Sequence, residues 1–228
     1  MKNTYPKLLD NVVKENCRIR EEINIDAYEK CVIFGNGPSL KGKQVDLNER
    51  SFICRTNWFF LEDKPYFGTH VDAYFCGIYN EEMLRQLAKS YYSVKRVFCP
   101  FNIFKQFDID SYLTSKSMAE INSHWAIIAE NPHIAKEFIR RPLPTQGVQM
   151  IATAAVLGFK EIQVYGVDFY STSEGKDRYC YQQTERSIGA LEQKDITPGY
   201  EANHSYETDQ HVLKIIKNEY PTINIVFN

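Results

Sequence analysis

The chain has 228 residues, with 27 Lys and Arg against 29 Asp and Glu and a formal net charge of −2. That balance argues against a nucleic-acid binder, whose affinity rests on neutralising many phosphates with a basic face. At 43% hydrophobic and 25% charged residues, the composition fits one globular domain with a real core and excludes a largely disordered chain.

The aromatic content is unusual: 15 Tyr and 14 Phe against 2 Trp. Tyrosine joins an apolar body to a hydroxyl that wants a partner, which suits a cleft facing sugars or nucleotides; most of the fifteen are nonetheless expected in the core. The six cysteines, Cys17, Cys31, Cys54, Cys76, Cys99 and Cys180, form no CxxC pair. Several sit in apolar runs, as core thiols in a reducing compartment would, rather than in a disulfide or zinc framework. The first residues are too charged for a signal peptide, and no run approaches the roughly 20 apolar residues of a membrane span. The expected location is the cytoplasm, with contact at the inner face of the inner membrane as an extension of that reading.

In chain order, Leu8, Leu9, Val12, Val13 and Cys17 recur at helical spacing and predict an N-terminal helix from Tyr5 to about Ile23, packed on the domain after it. Residues 1–30 are thus read as a helical extension and 31–228 as the main domain. Short β-rich runs come next at Cys31–Phe34, Ser51–Cys54, Val71–Cys76, Val94–Cys99, Glu161–Gly166 and Ile223–Phe227. Between them, helical patterns span Asn80 to about Tyr91, Gly147–Leu157 and Tyr206–Glu219, the first with Asn80 and the last with Ser205 as N-cap. Strands alternating with helices predict an α/β fold: a single Rossmann-like domain with a mostly parallel sheet and ligands at the carboxyl ends of its strands. The stretch from Phe101 to Pro144 is less regular. Residues 171–202 are polar and aperiodic, as a flexible lid would be.

Four blocks carry candidate chemistry. In VIFGNGPSL, the turn Gly35-Asn36-Gly37 leaves the first strand, where glycine lets backbone amides approach a phosphate or ribose. A plain tight turn with Pro38 opening a helix is an equal local reading. In CRTNWFF, Arg55 and Asn57 follow the second strand; for Arg55 an ion pair with a nearby acid is preferred. In PTQGVQMIATAAVLGFKEIQVYGVDFY, Thr145 is placed to cap the adjoining helix, whose amino end favours an anion. Its alanines allow close packing on the sheet, while Asp168 and Tyr170 follow a strand and suit ribose hydroxyls and phosphate. In NHSYETDQHVLKIIKN, His204 stands just before a helix whose buried stripe is Val212, Leu213, Ile216 and Tyr220, and a histidine there can take a hydroxyl proton. His70, His124, His133 and His211 read as structural or surface residues. No metal-ligand spacing is evident.

Together, GNGPSL, CRTNWFFLEDKPYFG, PTQGV with LGFKEIQVYGVDFY, and HSYETD resemble, in order and spacing, the bacterial sialyltransferases of glycosyltransferase family 42, found in Campylobacter and Haemophilus lipooligosaccharide synthesis. The resemblance implies a GT-A-like fold, inverting transfer from CMP-sialic acid to a galactoside-type hydroxyl, and no cofactor or divalent metal. It implies His204 as general base and Tyr170, with Tyr179 or Tyr181, as hydrogen-bond donors to the departing phosphate. It also implies Gly35, Asn36, Gly37, Asn57, Thr145, Gln146, Gly147 and Asp168 as donor-side positions. The implied partners are a sugar nucleotide and a glycan acceptor, with membrane contact in a longer native form and self-association further possibilities. Where the family reads Arg-x-Thr-Ser-Gly, this chain has Leu143-Pro144-Thr145-Gln146-Gly147. That departure keeps open a transferase using another CMP-activated ulosonic acid, and a catalytically silent nucleotide- or glycan-binding module remains a further alternative.

Overall fold

A computed structural model describes residues 14, 16–76, 86–100, 120–169 and 204–228. Seven strands, β1 (Lys30–Phe34), β2 (Ser51–Thr56), β3 (His70–Phe75), β4 (Ser93–Cys99), β5 (Glu120–Ser123), β6 (Glu161–Tyr165) and β7 (Asn224–Phe227), make one sheet in the order β5-β4-β3-β2-β1-β6-β7. Every pairing is parallel. β1 lies between β2 and β6 with Cys31, Val32, Ile33 and Phe34 all buried, because a parallel strand covered on both faces needs a continuous apolar run. Cys31, Ile33, Phe52 and Cys54 point to one face, while Val32, Phe34 and Ile53 point to the other.

The first face is covered by a central helix, Gln146–Leu157, and a last helix, Tyr206–Glu219. Ala152 and Ala155 of the central helix have no exposed surface, so their small side chains let the helix settle onto the strands. Gly158 ends it in the left-handed conformation, φ 106°. From β1 the chain winds outward to β5, then returns to the other side of β1 for β6. The winding therefore reverses between β1 and β6, and in such sheets ligands gather in the crevice outside the carboxyl ends of the two strands.

Several expectations are corrected. Residues 16–23 are helical, but the face turned to the core carries Asn16, Ile19 and Ile23, while Cys17 is exposed. A strand, β5, and short helices at His124–Ile128 and Pro132–Ala135 occupy part of the stretch read as irregular. The sequence Glu-Ile-Asn-Ser of β5 has no strand signature, and pairing with β4 decides it. Among the described tyrosines only Tyr74 and Tyr92 are buried, and phenylalanines fill the core instead. A phenol hydroxyl keeps most of these rings where water or a polar partner can reach them. The predicted N-cap Asn80, the start of its helix and the lid at 171–202 lie outside the described residues. The five described cysteines are thiols outside any disulfide, and no described helix is long and apolar enough to cross a membrane.

On the face away from the central helix, Arg55 is 1% exposed and bonds to Glu62 at 2.9 Å, with its guanidinium 4.5 Å from the Phe59 ring centroid. The ion-pair reading of Arg55 is therefore the one observed. The Tyr92 hydroxyl also donates to Glu62, and burial followed by that carboxylate pushes the phenol pKa up, so Tyr92 remains a donor. Glu62→Gln would leave Arg55 charged in an aromatic cage. It should cost about 3–5 kcal/mol of unfolding free energy, more than an Arg55→Met/Glu62→Leu double change; urea titration of the three proteins checks this.

His124 has no exposed surface and donates from Nε2 to Gln149 Oε1 at 2.8 Å. Burial lowers its pKa from 6.5 to about 4, against a smaller opposing effect of the Gln149 bond. The unfolded chain thus binds this proton first. The stability from neutral His124 is complete above pH 6.5 and is lost as pH falls towards 4, by on the order of 3 kcal/mol. Wild type should lose that much more than His124→Gln between pH 7 and pH 4 in denaturant unfolding; equal acid losses would contradict it.

Candidate active site

The carboxyl ends of β1 and β6 approach so closely that a side chain at Gly35 would place its Cβ 2.0 Å from the Gly166 carbonyl oxygen. The pairing continues past the strands: the Gly35 amide donates to Tyr165 O at 2.8 Å and the Gly37 amide to Gly166 O at 2.9 Å. This corrects the expectation that these two amides approach a phosphate, since both are spent on β6. Asp168, expected to face the nucleotide, accepts from the Ser39 amide at 2.9 Å and from the Ser39 hydroxyl. Its carboxylate thus clamps the turn after β1 to the end of β6. Pro38 opens a short 3₁₀ turn, Pro38–Leu40, as the simpler local reading had it.

Asn36 is what this turn offers to a ligand. Its Nδ2 donates to Thr56 O at 3.0 Å, tying β1 to the end of β2, while its buried Oδ1 has no hydrogen-bond partner among the described residues. A buried acceptor left without a donor costs about 1–3 kcal/mol, and a ligand N–H or O–H would satisfy it. Next to it, Asn57 sits at φ 50° with its amide donating to Phe75 O at 3.0 Å. Phe169, after β6, also has a positive φ, 49°. Such backbone is uncommon for a residue with a side chain and gathers at functional sites.

The central helix brings its amino end to the same crevice. A Cβ at Gly147 would lie 2.6 Å from Val167 Cγ1, so glycine lets the first turn meet the chain leaving β6. Thr145 is at the N-cap position, yet its side chain makes no capping bond. Its hydroxyl donates instead to Asp209 Oδ2 at 2.8 Å and its amide to Asp209 Oδ1 at 2.7 Å. The helix amino end therefore keeps the partial positive charge that favours an anion. Gln146, at the first helical position, has a buried Nε2 without a partner among the described residues.

His204 completes the group. It pairs with Leu143 as an isolated parallel bridge, and its Nδ1 lies 2.9 Å from Leu143 O. A carbonyl oxygen only accepts, so Nδ1 is the donor of this bond. Ser205 caps the last helix by accepting from the Thr208 amide at 3.1 Å. Asp209 is buried, and burial raises its pKa against the lowering effects of the two Thr145 bonds and of His204.

Asn36 bonded to Thr56, Gly37 against Asp168, Gly147 against Val167, Thr145 bonded to Asp209 and His204 bonded to Leu143 thus gather these residues near the carboxyl ends of β1, β2 and β6. Tyr170, Tyr179 and Tyr181 lie outside the described residues. Asp209 and Gln149 were not read as site residues from the sequence. The signal was present for the first: Asp209, Val212, Leu213 and Ile216 follow the i, i+3, i+4, i+7 pattern, so an acid opens the buried stripe. Tyr220, assigned to that stripe, is only half-buried against the core. No cluster of three or more metal-ligating side chains occurs among the described residues.

Comparison with known proteins shows the family and the fold. A family model described as Alpha-2,3-sialyltransferase (CST-I) matches residues 29–227. The solved monofunctional alpha-2,3-sialyltransferase Cst-I from Campylobacter jejuni is similar at 28% identity and a TM-score of 0.63, over 88% of this chain and 75% of that one. The sialyltransferase CstII from Campylobacter jejuni, in complex with the substrate analogue cytidine-5'-monophosphate, shares the fold at 23% identity and a TM-score of 0.61, over 87% and 79%. CST-II in complex with a trisaccharide acceptor and CMP does so at 24% and 0.60, over 87% and 80%. No curated protein sequence matches. With the family model covering all seven strands and every described site residue, the chain belongs to the alpha-2,3-sialyltransferase (CST-I) family.

Proposed function

We propose that this protein transfers a sialyl residue from CMP-sialic acid to a galactoside-type hydroxyl of a glycan such as lipooligosaccharide, with inversion and with His204 as general base. The observation that carries the reading is the bond between His204 Nδ1 and Leu143 O, two residues before the N-cap of the central helix, and it assigns the role of base to Nε2. In a single displacement the bond from the sugar carbon to the CMP oxygen breaks as the acceptor oxygen arrives, and Nε2 takes the acceptor's proton. Positioned proton transfer of this kind contributes roughly 10²–10⁴-fold. Asn36 Oδ1 and the uncapped amino end of the central helix are assigned to the nucleotide and its phosphate. Tyr170 and Tyr179 or Tyr181 are assigned as donors to the departing phosphate, on the resemblance alone. Because CMP leaves as a phosphate monoester held by such donors, the proposed reaction needs no divalent metal.

The alternative of another CMP-activated ulosonic acid is favoured by one observation. Gln146 places a neutral amide donor at the first turn of the central helix, with its Nε2 unpartnered among the described residues.

His204→Ala should reduce transfer by roughly 10²-fold or more while leaving CMP affinity nearly unchanged in calorimetry; substantial remaining turnover would sink the base assignment. A panel of CMP-activated ulosonic acids with galactoside acceptors, read by CMP release with and without EDTA, should show preference for CMP-sialic acid and no loss with chelator. A strict metal requirement, or preference for a different donor, would reject the corresponding part of the reading.

A further inference from the structure

The segment Leu143-Pro144-Thr145, which joins the short helices to the central helix, is pinned at each residue. Leu143 O accepts from His204, Pro144 O accepts from Gln149 Nε2 at 2.9 Å, and the Thr145 amide and hydroxyl both donate to Asp209. Asp209 is on the last helix, one turn beyond His204, and has no exposed surface. A carboxylate in that position is costly unless paired, and its two bonds, at 2.7 and 2.8 Å, both go to Thr145. The last helix therefore holds the segment by its acid, and the segment in turn holds the histidine that precedes the helix. In this closed loop of contacts the Leu143 carbonyl is held 2.9 Å from Nδ1 of the imidazole.

We propose that Asp209 is a positioning residue for transfer: by fixing Thr145 it places the Leu143 carbonyl against Nδ1–H of His204 and so presents Nε2 to the acceptor hydroxyl. The proposal rests on the reading of His204 as base. A second effect arises from the same placement. When His204 takes the acceptor's proton, the charge on the ring arises near the buried carboxylate, since both side chains are bonded to the three-residue segment Leu143–Thr145. Asp209 itself touches neither donor nor acceptor in this scheme and exchanges no proton.

Nitrogen-15 NMR of histidine-labelled wild-type protein should show His204 with its proton on Nδ1; a proton on Nε2 would overturn the proposal without any variant. In Asp209→Asn the tautomers should mix, and kcat should fall about 10- to 100-fold, the loss expected from one charge-assisted bond. CMP affinity should stay within about 3-fold, because the change acts on orientation rather than on donor binding. A parallel fall of CMP affinity and kcat, or a kcat equal to wild type, would overturn the proposal. Turnover surviving in His204→Ala removes the base reading and this proposal with it. A dead His204→Ala beside a fully active Asp209→Asn removes this proposal alone.

Discussion

The close approach of the two strand ends at Gly35 and Gly166 is the constraint on which the rest of the site depends. Parallel strands β1 and β6 are neighbours although most of the chain lies between them, and their pairing runs on past the last strand residues into the turns. No side chain fits at Gly35, so the two backbones lie against each other and the turn after β1 is forced outward. Asn36 is thereby turned towards β2, Ser39 towards Asp168, and the chain after β6 towards the first turn of the central helix. The crevice is what remains where the winding of the sheet reverses.

The polar groups of this crevice divide into those that build it and those left for a ligand. The Gly35 and Gly37 amides and Asp209 are engaged in internal bonds, and Asp168 ties the turn after β1 to the end of β6. Asn36 Oδ1, Gln146 Nε2 and the amino end of the central helix are left over. Nearly all of these are neutral, which gives the balanced net charge a physical meaning. An anionic sugar nucleotide can be held by oriented dipoles in a partly buried site, where they act more strongly than in water. Such a protein needs no basic face. The one deeply buried cation described, Arg55, is neutralised by Glu62 and serves the aromatic core on the far side of β2.

Much of the frame was legible from residue pattern. Continuous apolar runs marked the inner strands, and alanine-rich spacing marked the central helix, whose observed start, Gln146, is one residue before the expected one. The last helix matches its expected limits and cap. These features are local, set by burial on both faces of a strand or one face of a helix. β5 was not legible because four residues with three polar side chains form a strand only when β4 supplies the partner. Among the described tyrosines few are buried, because the hydroxyl as well as the ring decides where the side chain can be placed.

At the site the division is sharper. The sequence by itself determined which residues stand at the ends of strands and helices: Asn36, Asn57, Thr145, Gly147, Asp168 and His204. Position relative to a local element needs no knowledge of the rest of the chain. Only the tertiary structure decided what those residues do there. It made Thr145 a donor to Asp209 rather than a helix cap, tied Asp168 to Ser39, and turned the glycine amides from phosphate donors into strand partners. It also placed Leu143 O 2.9 Å from His204 Nδ1, which makes that nitrogen the donor. Each of these outcomes is a competition for a hydrogen-bond partner far away in the chain, and such a competition is resolved only when the distant partner arrives.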